Sequence, residues 1–573
     1  MASFVEGHAR LRMAHIRISL SILVLATAAL TWILAAGSGS GSTGAPLSAA
    51  ASPATAAAPA GSLSSQLTTL AATHPGQNVE VIVQFDRGVS GARGRALVRS
   101  VGGHPGVGLS IINGLSARLT AAASRRLAAS PLVHAVTLNS VIKESSYGGP
   151  SGPPPWALST TFDQSVRAPR MWRHSTGAGV GVAVIDTGIT GDLPDFRTSQ
   201  SDDTSRVVAS AVIDPNASTA NDTYGHGTAV AGLIAGNGGD RDQGDSLWGR
   251  YDGSAPDANL ISVKVADDNG QATILDAIFG LQFAVDHKAQ YNIGVINMSF
   301  RSTTAQSYQT DPLDAAAEQA WNDGIVVIAA AGNLGTTPDA VSYAPANDPY
   351  VITVGAVDDQ GTQNTSDDVI PSWSSQGTTQ DGLTKPDVLA PGAHIVTTLA
   401  PGSDFASLCP TCVINNDYFQ VSGTSLAAPI VSGIAADLVA AHPDWTPDMV
   451  KGAIVNTATS LPNGGNEVNA ISAYWANGSQ LVANQGVSPN SLIDPDTGSI
   501  DYNAASWSAA SWSSAVDPLA ASWSAASWSC EDCSSDPSGG SSGGGSSGGG
   551  SSGGGVDPTS ASWSTVGWTT MWG

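Results

Sequence analysis

Basic charge is what this sequence has least of: 23 Lys and Arg stand among 573 residues against 47 Asp and Glu, a formal net charge of −24. Phosphate backbones are held by Lys and Arg, so this balance disfavours a nucleic-acid partner. Cysteine is scarcer still, and four copies cannot staple a chain of this length into a disulfide scaffold. They fall in two CxxC pairs, Cys409 with Cys412 and Cys530 with Cys533, separated by 118 residues. Two local disulfides are the plainer expectation in an oxidising compartment, and a zinc site shared by both pairs is the other. Long apolar runs are also rare. The run from Ile18 to Ala36 carries no charge and follows Arg10, Arg12 and Arg17. Residues 1–36 therefore read as an export signal, shorter if Met13 is the start, or as a single-span anchor. Either reading puts the body of the chain outside the cytoplasm, secreted or membrane-anchored.

What is present is a sizeable apolar fraction, 42% against 12% charged residues, enough to form a core. Residues 37–77 read as a linker, richest in Ala, Ser, Pro and Gly at its start. Residues 78–144 form a compact α+β unit with strand patterns in VEVIVQF and GLSARLT and a helical AAASRRLAAS. SSYGGPSGPPPW opens an exposed connector over 145–159. From 160 to 480, short apolar runs such as VGVAVID, NLISVKV, GVINMSF, GIVVIAAAG and YVITVGAV alternate with helical stretches. That alternation predicts an α/β fold, a doubly wound, mostly parallel sheet with helices on both faces and sites at the carboxyl ends of its strands. The tail, 500–573, is Trp/Ser- and Gly/Ser-rich, with Trp at five-residue spacing that suits neither a helix face nor a strand face. It reads as an exposed low-complexity tail, or as an element whose aromatic rings engage a surface polysaccharide.

SGTSLAAPIVSG, Ser422 to Gly433, rings Ser425 with the smallest side chains where an apolar helix pattern begins. A helix N-terminus offers unpaired N–H groups and partial positive charge, so a carbonyl can approach Ser425 while the serine's own N–H steadies the resulting oxyanion. Alone this is weak, because Ser and Thr also cap helices. YGHGTAVAGLIAG places His226 between two glycines, which leave room for the ring to meet another molecule. VGVAVIDTGI ends an apolar run with Asp186, a carboxylate that is costly to bury unless it is paired and is suited to a histidine Nδ1–H. GIVVIAAAGN ends with Asn333, whose amide can donate to an oxyanion.

The motifs VIDTGI, HGTAVAGLIAG, AAAGN and GTSLAAP, with KPDVLAPG at 385–392, make the chain similar to the subtilisin-type serine proteases, the subtilases or peptidase family S8. The similarity covers roughly residues 160–460. It implies an endopeptidase for protein and peptide substrates, with Ser425 as nucleophile, His226 as base and then acid, Asp186 orienting the imidazole and Asn333 in the oxyanion hole. It also assigns Ser299, Phe300, Gly332 and Gly423 to substrate binding. No cofactor is implied for the chemistry. A structural calcium ion fits the family, with no ligands assigned. The unit at 78–144 resembles an inhibitory prodomain that is removed by self-cleavage within Glu144–Trp156, and a monomer is expected. Its eight Lys and Arg against three Asp and Glu face 12 against 35 over 150–480, net +5 against −23, which suits docking by complementary charge.

Departures from the family pattern are local. Leu426 stands where a Met commonly follows the nucleophile, and FRSTT replaces a Leu-Gly-Gly-like run, so Phe300 and Arg301 leave the side-chain preference open. Asp240, Asp242, Asp245 and Asp252 follow the His226 helix without EF-type spacing and read as a solvated acidic loop. Two other functions compete: an attachment protein with a vestigial protease core, and a ligase that passes the acyl group to amines.

Overall fold

The computed structural model describes residues 61–144, 146–147, 162–199, 201–241, 244–245, 248–478, 482–491 and 493. The signal or anchor at 1–36, most of the connector and the 500–573 tail with Cys530 and Cys533 lie outside the described residues.

The large domain is the expected α/β fold. Its nine-stranded sheet runs, in spatial order, Val207–Val212, Asn259–Lys264, Gly181–Asp186, Ile293–Met298, Val326–Ala330, Ile352–Val357, Val388–Pro391, Asn466–Glu467 and Thr459–Ser460. All neighbours pair parallel except the last two. Every residue of Gly181–Asp186 and Val326–Ala330 is buried, which is why these runs read as continuously apolar and not alternating. The first of these nine strands in chain order, Gly181–Asp186, sits inside the sheet, so connections leave it in both directions and open a crevice at its carboxyl end. Helix Thr424–Ala441 is long and apolar enough to cross a membrane, but it is threaded through the domain and is 83% buried. Two α-helices, His226–Ala235 and Thr424–Ala441, cross with Gly433 against the Ile234 carbonyl, where a Cβ would come within 3.0 Å.

The small domain is a five-stranded sheet in the order Ser62–Leu63, Val133–Leu138, Asn78–Phe85, Gly114–Thr120 and His104–Leu109. Along Asn78–Phe85 the pleat divides the side chains. Val79, Val81, Val83 and Phe85 fill the domain's own core with Leu67, Val98, Leu115 and Leu127. Ile82, on the other face, packs into the large domain's core together with Leu109, Ile111, Ile112 and Ile142.

The linker boundary at 77 needs correction. Strand Ser62–Leu63 pairs with Ala135 and Val136, and helix Ser65–Thr73 buries Leu67 fully, so the small domain begins about sixteen residues earlier than the sequence pattern suggested. SQLTTLAAT is rich in the residues of the preceding linker, and only its leucines mark the core-facing side. At the other end, ordered packing continues past 480: the Asn490 N–H donates to both Glu318 oxygens at 2.8 Å, and Ile493 is buried. Helix Gly91–Ser100, capped by Ser90, had no distinct pattern in the sequence.

Candidate active site

Asp186 ends its strand in the crevice, and its Oδ1 lies 2.7 Å from Nδ1 of His226 with both side chains almost fully buried. His226 opens helix His226–Ala235, and the Phe405 ring stands edge-on to the imidazole at 6.0 Å. The glycines beside His226 do something other than clear space for its ring. A Cβ on Gly227 would lie 2.2 Å from the Gly188 carbonyl, so the helix start and the strand end touch backbone to backbone.

Two residues that pattern reading passed over hold this corner. Asp222 accepts the N–H groups of Gly225 at 2.7 Å and Thr228 at 2.8 Å, satisfying donors at the start of the His226 helix. Its other contact is the Thr187 hydroxyl at 2.9 Å, and that oxygen in turn accepts the Gly227 N–H at 2.8 Å. Burial pushes the Asp222 carboxyl up, and its hydrogen bonds act against the shift. Asp222 lies three residues before the helix's N-cap, Gly225, a spacing that carries no standard capping signal in the sequence.

Ser425 is the second residue of helix Thr424–Ala441 and is fully buried. Pro429 lies four residues on and has no N–H, so it cannot make the usual helical bond to the Ser425 carbonyl. Ser299 replaces it: the hydroxyl donates to the Ser425 carbonyl at 2.8 Å and accepts from Asn297 Nδ2 at 2.9 Å. Asn297 Oδ1 also accepts from Ser432 at 2.8 Å, tying the strand to the helix at a second point. The Ser299 side chain is thus engaged with the Ser425 backbone.

Asn333 follows strand Val326–Ala330. Its Oδ1 accepts both the N–H and the hydroxyl of Thr424 at 3.0 Å, which makes Nδ2 the donor end of the amide. Gly332, in the left-handed region at φ 103°, donates its N–H to Thr424 Oγ1 at 3.0 Å. Gly332, Asn333, Thr424 and Ser425 are therefore locked into one assembly by bonds that span 91 or 92 residues of sequence.

Phe300 and Gly423 lie on two edges that already carry a guest strand. Val141–Glu144 pairs antiparallel with Phe300–Ser302 (Glu144 opposite Phe300, Lys143 opposite Arg301) and with Ala272–Thr273 on its other side. Ser146 and Tyr147 pair with Gly423 and Ser422. The end of the small domain thus crosses the crevice beside Ser425 as an extended chain. Cys409 and Cys412 form a disulfide with Cα atoms 5.3 Å apart.

The acidic loop after the histidine helix is not uniformly solvated. Asp240 and Asp252 are half-buried around the fully buried Asp195, and Asp242 lies outside the described residues. Burial, then the charge of Asp195, pushes the Asp240 carboxyl up to about 8 and the Asp252 carboxyl up to about 6. Asp195 is satisfied by the Thr398 hydroxyl at 2.7 Å and the Asp240 N–H at 3.1 Å. Among the described residues, no group of three or more His, Cys, Asp or Glu is arranged to hold a metal ion.

With this geometry established, comparison with known proteins is direct. Residues 177–474 match the model of the subtilase family, Peptidase S8. The chain is 39% identical to serine protease AprX of Bacillus subtilis (strain 168) over 52% of this chain and 66% of that protein, just under two thirds of its length. It is 30% identical to subtilisin E of the same organism, covering 65% of this chain and 83% of subtilisin E. Thermitase of Thermoactinomyces vulgaris is 32% identical, over 55% of this chain and 91% of thermitase. In fold it resembles fervidolysin of Fervidobacterium pennivorans, described as a keratinolytic enzyme related to subtilisin, with a TM-score of 0.52, 23% identity and coverage of 71% and 62% of the two chains. The chain belongs to the subtilase family of serine proteases.

Proposed function

We propose that the protein is an extracellular endopeptidase that matures by cutting away its own N-terminal domain. The observation that carries this reading is the buried Asp186–His226 contact at 2.7 Å, set in one crevice with the Asn333–Thr424–Ser425 assembly. Ser425 Oγ attacks the carbonyl carbon of a bound peptide as His226 takes the hydroxyl proton, and Asp186 holds the resulting imidazolium by its Nδ1–H. The oxyanion is met by Nδ2 of Asn333 and the N–H of Ser425. His226 then gives its proton to the leaving amine, which departs and leaves an acyl-enzyme. Water, deprotonated by His226, attacks that ester and releases the acid. These steps use side chains and backbone donors alone. A structural calcium ion is left without assigned ligands.

The guest strand supports the reading of the small domain as a prodomain. Glu144 is paired on one edge and Ser146 on the other, which supports a cleavage point on the amino side of Ser146. Ser145 itself lies outside the described residues. Ser425→Ala should lower kcat by about 10⁶ and leave the precursor uncut while the fold persists. N-terminal sequencing of the mature wild-type enzyme should begin at Ser146. A Ser425→Ala protein that matures and digests casein at the wild-type rate overturns the assignment. The Trp-rich tail, outside the described residues, remains our candidate for contact with cell-wall polysaccharide, to be tested by whether deletion of 500–573 releases an otherwise active enzyme from wall material.

A further inference from the structure

Arg301 is out of character with the other buried cations of its domain. Arg241 pairs with Asp417 at 2.7 Å, Lys385 with Asp387 at 2.8 Å and Lys264 with Asp268 at 3.2 Å, while Arg206 donates to four backbone carbonyls. Arg301 is half-buried, lies over the Tyr343 ring at 4.6 Å and donates only to the carbonyl of its neighbour Ser302, at 3.0 Å. Among the described residues no Asp or Glu pairs with it, although 35 acidic residues lie in 150–480. A guanidinium taken partly out of water without a carboxylate leaves donors and charge unanswered.

Its position says what would answer them. Arg301 belongs to the edge strand that takes the guest chain, directly opposite Lys143. Residues two apart on an extended peptide share a face, so the residue two places after that partner projects to the same side as Arg301. A substrate bound in the same register would carry its corresponding residue at the carbonyl beside Ser425. The Arg301 stem reaches the same point from the other side: its Cδ lies 3.2 Å from where a Cβ on Gly332 would stand, next to Asn333. From this placement we infer that Arg301, seated on Tyr343, is the specificity-determining residue for the side chain that precedes the cleaved bond, and that it selects a carboxylate, Asp or Glu. This rests on the protease reading above.

The test uses the matured full-length enzyme and peptides identical except for the residue before the cleaved bond: Glu, Asp, Gln, Leu, Phe or Ala. The wild type should cleave the Glu peptide with kcat/KM about tenfold or more above the Gln peptide, as expected for a charge-assisted pair. Arg301→Gln should bring that ratio near one, and Arg301→Lys should keep part of it. If the wild type cleaves Leu, Phe or Ala peptides as well as Glu, or if Arg301→Gln leaves the ratio unchanged, the inference is overturned. Should Arg301→Gln fail to mature, the wild-type Glu/Gln ratio decides alone. A fluorophosphonate probe separates the two levels: an enzyme that neither labels at Ser425 nor cleaves any peptide overturns the protease reading itself, whereas labelling without acid preference overturns only the role of Arg301.

Discussion

The two domains meet water in opposite ways. The large domain buries its central strands on both faces with its own helices, and the small domain covers one face of its sheet and lends the other to its neighbour. Ile82, Leu109, Ile111, Ile112 and Ile142 are core residues only while the two remain together. Separation would strip apolar surface from the small domain and leave the catalytic core intact, which gives a removable domain a physical basis. Among the described residues, hydrogen bonds across the boundary include neutral ones: Ser110 to Gln282 at 2.7 Å, the Leu275 N–H to Asn139 at 3.1 Å and the Ile274 N–H to the Ser140 carbonyl at 2.9 Å. We expect the opposite net charges of the domains to act at long range and apolar contact to hold the docked state.

If catalysis belongs to the large domain alone, removing the amide of Asn333 should cut kcat with the small domain's fold untouched. A single oxyanion donor is worth about 10²–10³ in kcat in subtilisins. Asn333→Ala is expected in that range with little change in KM, and a loss below about fivefold would take Asn333 out of the oxyanion hole. The interface comes next. Ile142→Ala in residues 61–147, added in trans, should raise the inhibition constant by about 10²-fold through lost burial and a new cavity, chiefly as faster dissociation. An unchanged constant would mean that backbone pairing in the crevice does the holding.

Acid–base behaviour separates the domains again. Asp240 keeps its proton in the folded protein up to about pH 8 because of burial and Asp195, and its ordinary value is 3.8. Between those limits the folded state binds more protons than the unfolded chain, so this group makes stability fall as pH rises. Melting of the mature enzyme should therefore decline between about pH 4 and 8, and Asp240→Asn should flatten that decline. An identical slope in the variant would exclude Asp240 as its source. The smallest effect is expected from salt. Raising it from about 0.05 to 0.5 M should slow association of the small domain several-fold with little change in dissociation. A salt-dependent dissociation rate would restore ion pairs to the docked interface.

What the sequence determined by itself was whatever depends on a residue and its immediate neighbours. Continuous apolar runs ending in Asp186 and before Asn333 marked buried parallel strands, because a strand covered on both faces has no polar side to show. Small residues around His226 and Ser425 marked helix starts, and the structure showed that Gly227 lies against the Gly188 backbone. Pro429 already carried the reason that Ser299 is needed, four residues beyond a carbonyl that a proline cannot serve. Tertiary structure alone decided which distant residues meet. Asp222 bonds the first N–H groups of the histidine helix, and helix Ser65–Thr73 joined the small domain through Leu67 and Leu70, two side chains in a linker-like composition. The loop aspartates split into half-buried Asp240 and exposed Asp245, although the sequence treats them alike. Arg301 reached Tyr343 and Gly332 because strand register fixed which face its side chain takes, and register is set by pairing across the sheet, not by the run of residues along one strand.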